Sequence, residues 1–284
     1  VEENEDWWSF YDVSEFESEL LEVKIKEDTE GELISKLPGL IDSGENIKNT
    51  DNLYQEKLRP QFHFTSRRGW LNDPNGLVYH QGEYHLFYQH NPFGIKHGNM
   101  HWGHAVSQDL IHWQELPVAL YQNSIKDQMF SGGGLVDKNN TTGFKKGKSP
   151  AMAVAFTSTG RGECIAYSND KGRNLREYED NPVLKHKGRD PKIIWYEPEE
   201  KWIMVVYDEK EGNRRYSFYE SRDLKSWDYL SSVEGFYECP EIFKLPVPGE
   251  KGEYKWILYG ALWRETEENT GYPTTSNYMI GSFD

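Results

Sequence analysis

The segment Ser107-Gln108-Asp109-Leu110-Ile111-His112-Trp113 recurs as Ser221-Arg222-Asp223-Leu224-Lys225-Ser226-Trp227. A degenerate copy, Ser168-Asn169-Asp170-Lys171-Gly172, lies 61 residues after the first and 53 before the third. Each copy follows a strand-like run, at 101–106, 164–167 and 216–220. Ahead of these runs stand hairpin-like pairs of apolar segments. They are Gly76-Leu77-Val78-Tyr79 with Tyr84-His85-Leu86-Phe87-Tyr88, and Lys192-Ile193-Ile194-Trp195-Tyr196 with Trp202-Ile203-Met204-Val205-Val206-Tyr207. A further pair is Ile242-Phe243 with Trp256-Ile257-Leu258-Tyr259. A four-stranded unit repeating about every fifty to sixty residues predicts an all-β fold, a β-propeller. The spacing exceeds the ~40–50 residues of the common blade families. No segment sustains an i, i+3, i+4 pattern over three turns, which disfavours helical folds. A plain β-sandwich also yields many short strands; the recurring Ser-x-Asp-Leu-x-x-Trp box favours the propeller.

Working outward, 284 residues suffice for one large domain or two ordinary ones. The net charge of −15 is uneven: residues 1–60 hold 17 Asp or Glu against 6 Lys or Arg, leaving −4 for the other 224. This balance argues against a nucleic-acid partner, which would need a basic face to replace phosphate counterions. No run of about 18 apolar residues is present to span a membrane. Cys164 and Cys239 form no disulfide framework and match no zinc spacing. No basic-then-apolar leader follows Val1, so a signal peptide is expected to be absent or to lie outside this chain. Trp, Tyr and Phe make up 14% of a chain whose mean hydropathy is −0.84. Some of these rings are expected to line a groove, as flat partners for sugar C–H faces; strand propensity alone also enriches Trp and Tyr.

The segment 1–52 reads as a β-rich accessory piece plus linker. Leu21-Glu22-Val23-Lys24-Ile25-Lys26 alternates as a half-buried strand does, and 38–52 is polar and turn-rich. Residues 53–284 read as the propeller. There each repeat opens with a polar motif expected just before its first strand. The motifs are Asn72-Asp73-Pro74-Asn75-Gly76, Phe130-Ser131-Gly132-Gly133, Arg189-Asp190-Pro191-Lys192 and Glu238-Cys239-Pro240. First strands line the axis of a propeller, so Asp73, Asp190 and Glu238 are expected around one funnel. Two carboxyls facing each other across a sugar are what glycoside hydrolysis needs, and a third nearby is expected to push one pKa upward. Each motif also has a plain structural reading. Asp-Pro-Asn-Gly is a good β-turn sequence, Arg189-Asp190 suits a surface ion pair, and Glu238 is one acid among 47.

Seven of nine histidines fall between His80 and His112. His101 and His104 face opposite ways on a strand, and no acidic or cysteine ligand has matching spacing, so no metal site is predicted. Gly132-Gly133-Gly134 lacks the context of a phosphate loop, and Ser131 with His104 lacks a nucleophile elbow.

Trp70-Leu71-Asn72-Asp73-Pro74-Asn75-Gly76 resembles the leading motif of glycoside hydrolase family 32, the invertases, inulinases and levanases. The likeness continues through Tyr84-His85-Leu86-Phe87-Tyr88-Gln89-His90-Asn91-Pro92, His101-Trp102-Gly103-His104-Ala105 and the three later motifs, in family order over 59–284. It implies a five-bladed propeller, of which about four blades are present here, usually followed by a β-sandwich. It implies Asp73 as nucleophile of a covalent fructosyl-enzyme, Glu238 as general acid/base, and Asp190 as transition-state stabiliser with Arg189 beside it. Asn72, Gln89, Trp102, Phe130 and Ser131 match positions that shape the fructose pocket. A retaining mechanism implies about 5–5.5 Å between the Asp73 and Glu238 carboxyls, and no cofactor is required. Two positions depart from many relatives: His97 stands where they carry Trp, and Gly133 where they carry Ser. Both are expected near the pocket rim or wall, where they bear on affinity and substrate preference. The expected substrates are levan, inulin or sucrose, with an extracellular, periplasmic or cell-surface location. Residues 1–50 loosely resemble the end of a β-rich accessory domain found ahead of the propeller in some bacterial fructan hydrolases. The chain stops mid-blade, so a fragment of a longer protein is expected, poorly soluble and nearly inactive alone. A fructosyltransferase and a non-catalytic fructan-binding propeller stay open as alternatives.

Overall fold

The computed structural model describes residues 53–263 and 274–283, with scattered positions before them (13, 16–22, 39, 41–45, 50 and 51). Of the strand pattern at 21–26, Leu21 and Glu22 are exposed and not in a strand, and 23–26, with most of the accessory segment, lie outside the described residues. The chain divides into two compact units, Val1–Arg68 and Gly69–Asp284. In the first, Arg59 acts as a local clasp. Its guanidinium donates to Thr65 Oγ1 at 2.8 Å and to the carbonyls of Ser66 (2.8 Å) and Arg67 (3.0 Å), and it lies over the Tyr54 ring.

The second unit is a series of antiparallel meanders, each strand pairing with the next. Blade one is β1 (Trp70–His80), β2 (Glu83–Asn91), β3 (His101–Ser107) and β4 (Trp113–Leu120). Blade two holds β5 (Met129–Phe130), β6 (Gly134–Asp137), β7 (Ala151–Ser158), β8 (Gly162–Ser168) and β9 (Arg176–Glu177). Its first strand is split, β5 and β6 both pairing with β7. Blade three is β10 (Arg189–Tyr196), β11 (Lys201–Lys210), β12 (Asn213–Ser221) and β13 (Asp228–Glu234). Blade four has β14 (Tyr237–Pro246), β15 (Tyr254–Trp263) and β16 (Thr274–Gly281) among the described residues.

The blades pack face to face, which explains strands that are apolar on both sides. Along β7, Ala151, Ala153 and Ala155 join a core with Trp202, Met204 and Val206 of blade three. The alternate residues Met152, Val154 and Phe156 join Phe87 and Trp102 of blade one. β11 repeats the arrangement, sending Ile203, Val205 and Tyr207 towards Ile242 and Leu258 of blade four. A period of two with both faces buried is the pattern of an inner strand, here one blade thick on each side.

The repeated box forms the turn between third and fourth strands. Ser107 Oγ accepts from the amides of Asp109 (3.1 Å) and Leu110 (2.9 Å), and Trp113 Nε1 donates to the Leu110 carbonyl at 3.2 Å. Ser221, Asp223, Leu224 and Trp227 repeat these bonds at 3.2, 2.9 and 3.1 Å. Leu110 and Leu224 both take φ of 65°. A left-handed leucine is costly, and the flanking hydroxyl and indole bonds hold it there.

One expectation is corrected. The polar motifs do not precede the first strands but lie inside them, because each first strand carries a bulge at its motif. Register slips occur between Leu71 and Pro74, between Arg189 and Lys192, and between Tyr237 and Glu241. In blade two the interruption at Ser131–Gly133 does the same work, with the Thr157 amide bonded to the Ser131 carbonyl and the Ala155 amide to that of Gly133. Pro74 and Pro191 lack a ladder donor, so a bulge is where a strand tolerates them.

Candidate active site

The bulges re-aim side chains, and three carboxylates from three blades converge on one another. Asp73 Oδ2 accepts a hydrogen bond from Ser131 Oγ at 2.7 Å, tying blade one to blade two. Gly76 N donates to the Gly132 carbonyl at 3.0 Å along the same seam. Asp190, at φ 65°, has its Oδ2 bonded by the amide of Cys239 at 3.1 Å. The Cys239 thiol lies between the first two carboxylates, 3.8 Å from Asp73 Oδ2 and 3.7 Å from Asp190 Oδ2. Glu238 is held by Arg189, whose Nε and Nη2 reach Oε2 at 3.2 and 2.8 Å. Arg189 Nε is also 3.7 Å from Asp190 Oδ2. The guanidinium lies against the Tyr207 and Tyr237 rings, 4.8 and 5.2 Å from their centroids, and donates to Tyr237 OH at 3.0 Å. One cation therefore fixes two of the three acids.

Burial sets the proton affinities. Asp190 is almost fully enclosed, and this pushes its carboxyl up to about 7. Arg189 and the Cys239 amide oppose that rise, while Asp73 and Glu238 add to it. One raised carboxyl was expected from neighbouring charge; desolvation is the larger cause. Cys239 is exposed as a residue, but local desolvation and the adjacent carboxylates push its thiol up, so it faces them as a neutral S–H.

The remaining sequence-predicted residues divide into two groups. Asn72 is exposed beside Asp73, while Phe130 is half-buried and Ser131 buried at the β5 bulge. His97 makes edge contacts with Trp70 (5.4 Å) and Phe130 (6.2 Å), so it belongs to an aromatic wall along this side. Gln89 and Trp102 are buried behind that wall. Gln89 Nε2 donates to the Met129 carbonyl at 2.9 Å and Trp102 Nε1 to the Phe130 carbonyl at 3.0 Å. They support the segment that carries Ser131. Gly133 sits where blade two meets blade three: an added Cβ would lie 3.2 Å from the Pro191 carbonyl oxygen. His85 and His104 face each other at 3.1 Å in the core, with Phe87 stacked on His104. Burial lowers both, His85 to about 4, so they are neutral packing groups.

Three contributors were not singled out from sequence. Tyr237 and Cys239 flank Glu238, and that adjacency was the available signal. Thr157, at the end of β7 next to its last residue, had none: its hydroxyl accepts from the Asp190 amide at 2.9 Å.

Consecutive antiparallel blades with acids on the bulged inner strands define a β-propeller whose carboxylates meet at one end of the inner strands. The chain matches "Glycosyl hydrolases family 32 N-terminal domain" over residues 63–284, and it belongs to that family. It is 45% identical over 245 residues to a levanase of Bacillus subtilis (strain 168), covering 81% of this chain and 35% of that protein. It is similar in structure to the exo-inulinase from Aspergillus awamori, with TM-score 0.71 and 33% identity, covering 83% of this chain and 51% of that one. A fructofuranosidase from Schwanniomyces occidentalis complexed with fructose gives TM-score 0.72 and 33% identity, over 80% and 47% of the two chains. The chain spans about half or less of the length of these relatives. Among the described residues no helix is long and apolar enough to cross a membrane.

Proposed function

We propose that residues 53–284 form the catalytic propeller of a retaining glycosidase, with 1–52 an accessory segment ahead of it. It releases fructose from β-fructosides such as levan, inulin or sucrose, outside the cytoplasm. The observation that carries the reading is the linkage of the three acids: the Cys239 thiol, 166 residues from Asp73 in the chain, lies against Asp73 and Asp190, and Arg189 joins Asp190 to Glu238. Family membership, and the levanase and exo-inulinase among its relatives, support the substrate class.

The contacts support the roles that the family resemblance implies. Ser131 occupies Oδ2 of Asp73, which leaves Oδ1 to attack the anomeric carbon and form a fructosyl-enzyme. Arg189 occupies Oε2 of Glu238, so Oε1 gives a proton to the departing oxygen and later takes one from water. Asp190, protonated below about 7, can either donate to or accept from fructose hydroxyls, according to pH. Asn72, His97, Phe130 and the Gln89- and Trp102-supported backbone shape the sugar site. The net charge of −4 over 61–284 suits a neutral substrate.

The test is fructose release from levan, inulin and sucrose by the protein, by Asp73→Ala and by Glu238→Gln. Loss of about 10²–10⁴-fold is expected for Glu238→Gln, and near-complete loss for Asp73→Ala. A binding-only propeller would release no fructose yet bind fructan with Asp73→Ala unchanged. Oligosaccharide products at high sucrose would mark a transferase instead.

A further inference from the structure

We propose that Glu163 and Thr157 are positioning residues for Asp190, a single buried carboxylate holding the backbone that presents it. The inference rests on the reading of Asp190 as a site residue.

Thr157 and Glu163 are cross-strand partners in the β7–β8 ladder. Glu163 is completely buried and Thr157 nearly so. Each oxygen of Glu163 controls one amide on the approach to Asp190. Oε2 accepts from Thr157 Oγ1 at 2.8 Å, and that hydroxyl accepts from the Asp190 amide at 2.9 Å. Oε1 meets His186 Nε2 at 2.8 Å, and His186 Nδ1 accepts from the Gly188 amide at 2.9 Å. Because Nδ1 is an acceptor, the ring proton is on Nε2 and is donated to Glu163. The carboxylate thus receives one donor at each oxygen, and the chain from 186 to 190 is tied to it at two points.

Such a tie has something to hold. Asp190 stands in the left-handed region, which an ordinary residue keeps only when its surroundings over-determine it. Thr157 also donates its amide to the Ser131 carbonyl at 3.3 Å, and Ser131 bonds Asp73. One residue of β7 therefore spaces the Asp73 arm from the Asp190 arm. A buried carboxylate is poor value as a stabiliser, since apolar packing serves as well; two backbone amides held in fixed geometry are a better account of it. A glutamine at 163 would bring a donor to a place where both neighbours already donate.

The experiment compares Thr157→Val, Thr157→Ser and Glu163→Gln with the parent. Measurements are kcat and KM for fructose release, melting temperature, and carboxyl titration of Asp190 by NMR. The groups facing that carboxyl are Arg189, Asp73, Glu238 and the Cys239 thiol, all untouched. Thr157→Val should lower kcat about 10–100-fold through misplacement of Asp190 and move the Asp190 titration downward as water gains access. Thr157→Ser should restore both, and Glu163→Gln should shift both in the direction of Val. A purely structural role would lower the melting temperature and leave kcat and the titration in place, which overturns the proposal. If the full-length protein that carries this chain releases no fructose, the functional reading fails while the titration still decides the positioning. If the Val variant does not fold, the Ser and Gln variants carry the comparison: unchanged titration in Glu163→Gln refutes it.

Discussion

Replacing Asp190 by Asn should make the protein more stable at alkaline pH while it loses activity. Asp190 is 6% exposed. Its carboxyl is pushed up to about 7, first by burial and further by Asp73 and Glu238, against the pull of Arg189 and the Cys239 amide. In the unfolded chain an aspartate titrates near ~3.9. Between about pH 4 and 7 the folded protein therefore holds a proton that the unfolded chain has released. Stability from this group is fully present below pH 4 and is lost as pH rises through 7. About three pH units at ~1.36 kcal/mol each amount to on the order of 4 kcal/mol. Asn is neutral throughout and keeps an oxygen for the Cys239 amide, so Asp190→Asn escapes the loss. At roughly 2–4 °C per kcal/mol for a domain of this size, its melting temperature relative to the parent should rise by about 10 °C between pH 4 and 8. Thermal melting followed by circular dichroism at matched ionic strength checks this. Melting curves of parent and variant that stay a constant distance apart across that range would refute the placement of the burial penalty on Asp190.

Two further outcomes follow from the same seams. Ser131→Ala removes the 2.7 Å bond onto Asp73. A hydrogen bond to a charged group is worth about 1.5–3 kcal/mol, so kcat/KM for fructose release should fall about 10–100-fold with little change in melting temperature. Gly132→Ala would set a Cβ 2.0 Å from the Ala155 carbonyl oxygen, whereas a Cβ at Gly133 meets Pro191 O at 3.2 Å. Urea unfolding should show a loss of about 3 kcal/mol for Gly132→Ala and a far smaller change for Gly133→Ser. Equal losses would mean that this seam yields more readily than its geometry implies.

The placement of Gly133 also changes how its departure from many relatives reads. It lies against the backbone of blade three at Pro191, the neighbour of Asp190, so it bears on blade packing as well as on the side of the site expected from sequence. His97 stands on the aromatic wall beside Phe130, on the side where the proposed function puts the sugar.

Much of the architecture was legible because its signals are local. The Ser-x-Asp-Leu-x-x-Trp box closes its own turn through bonds within seven residues, so its recurrence reports the blade repeat directly. The motifs bearing Asp73, Asp190 and Glu238 were legible as chemistry but misplaced by a few residues. Proline and left-handed positions read as turns, and a bulge inside a strand uses the same residues. Trp102 and Gln89 were legible as site residues, yet they act from beneath, through the carbonyls of Phe130 and Met129.

Residue type and spacing determined the all-β repeat and singled out the three acids, and the resemblance of the motifs supplied the family, since turn chemistry, strand alternation and carboxylate identity are properties of short segments. Only the tertiary structure decided which acid is the buried one, that Arg189 restrains two of them, and that Thr157 and Glu163 stand behind Asp190. Those facts depend on how blades exclude water and on distances between residues far apart in the chain, such as 157 and 190 or 73 and 239. Desolvation and hydrogen bonding are set by what packs alongside, and neighbours in sequence carry no record of it.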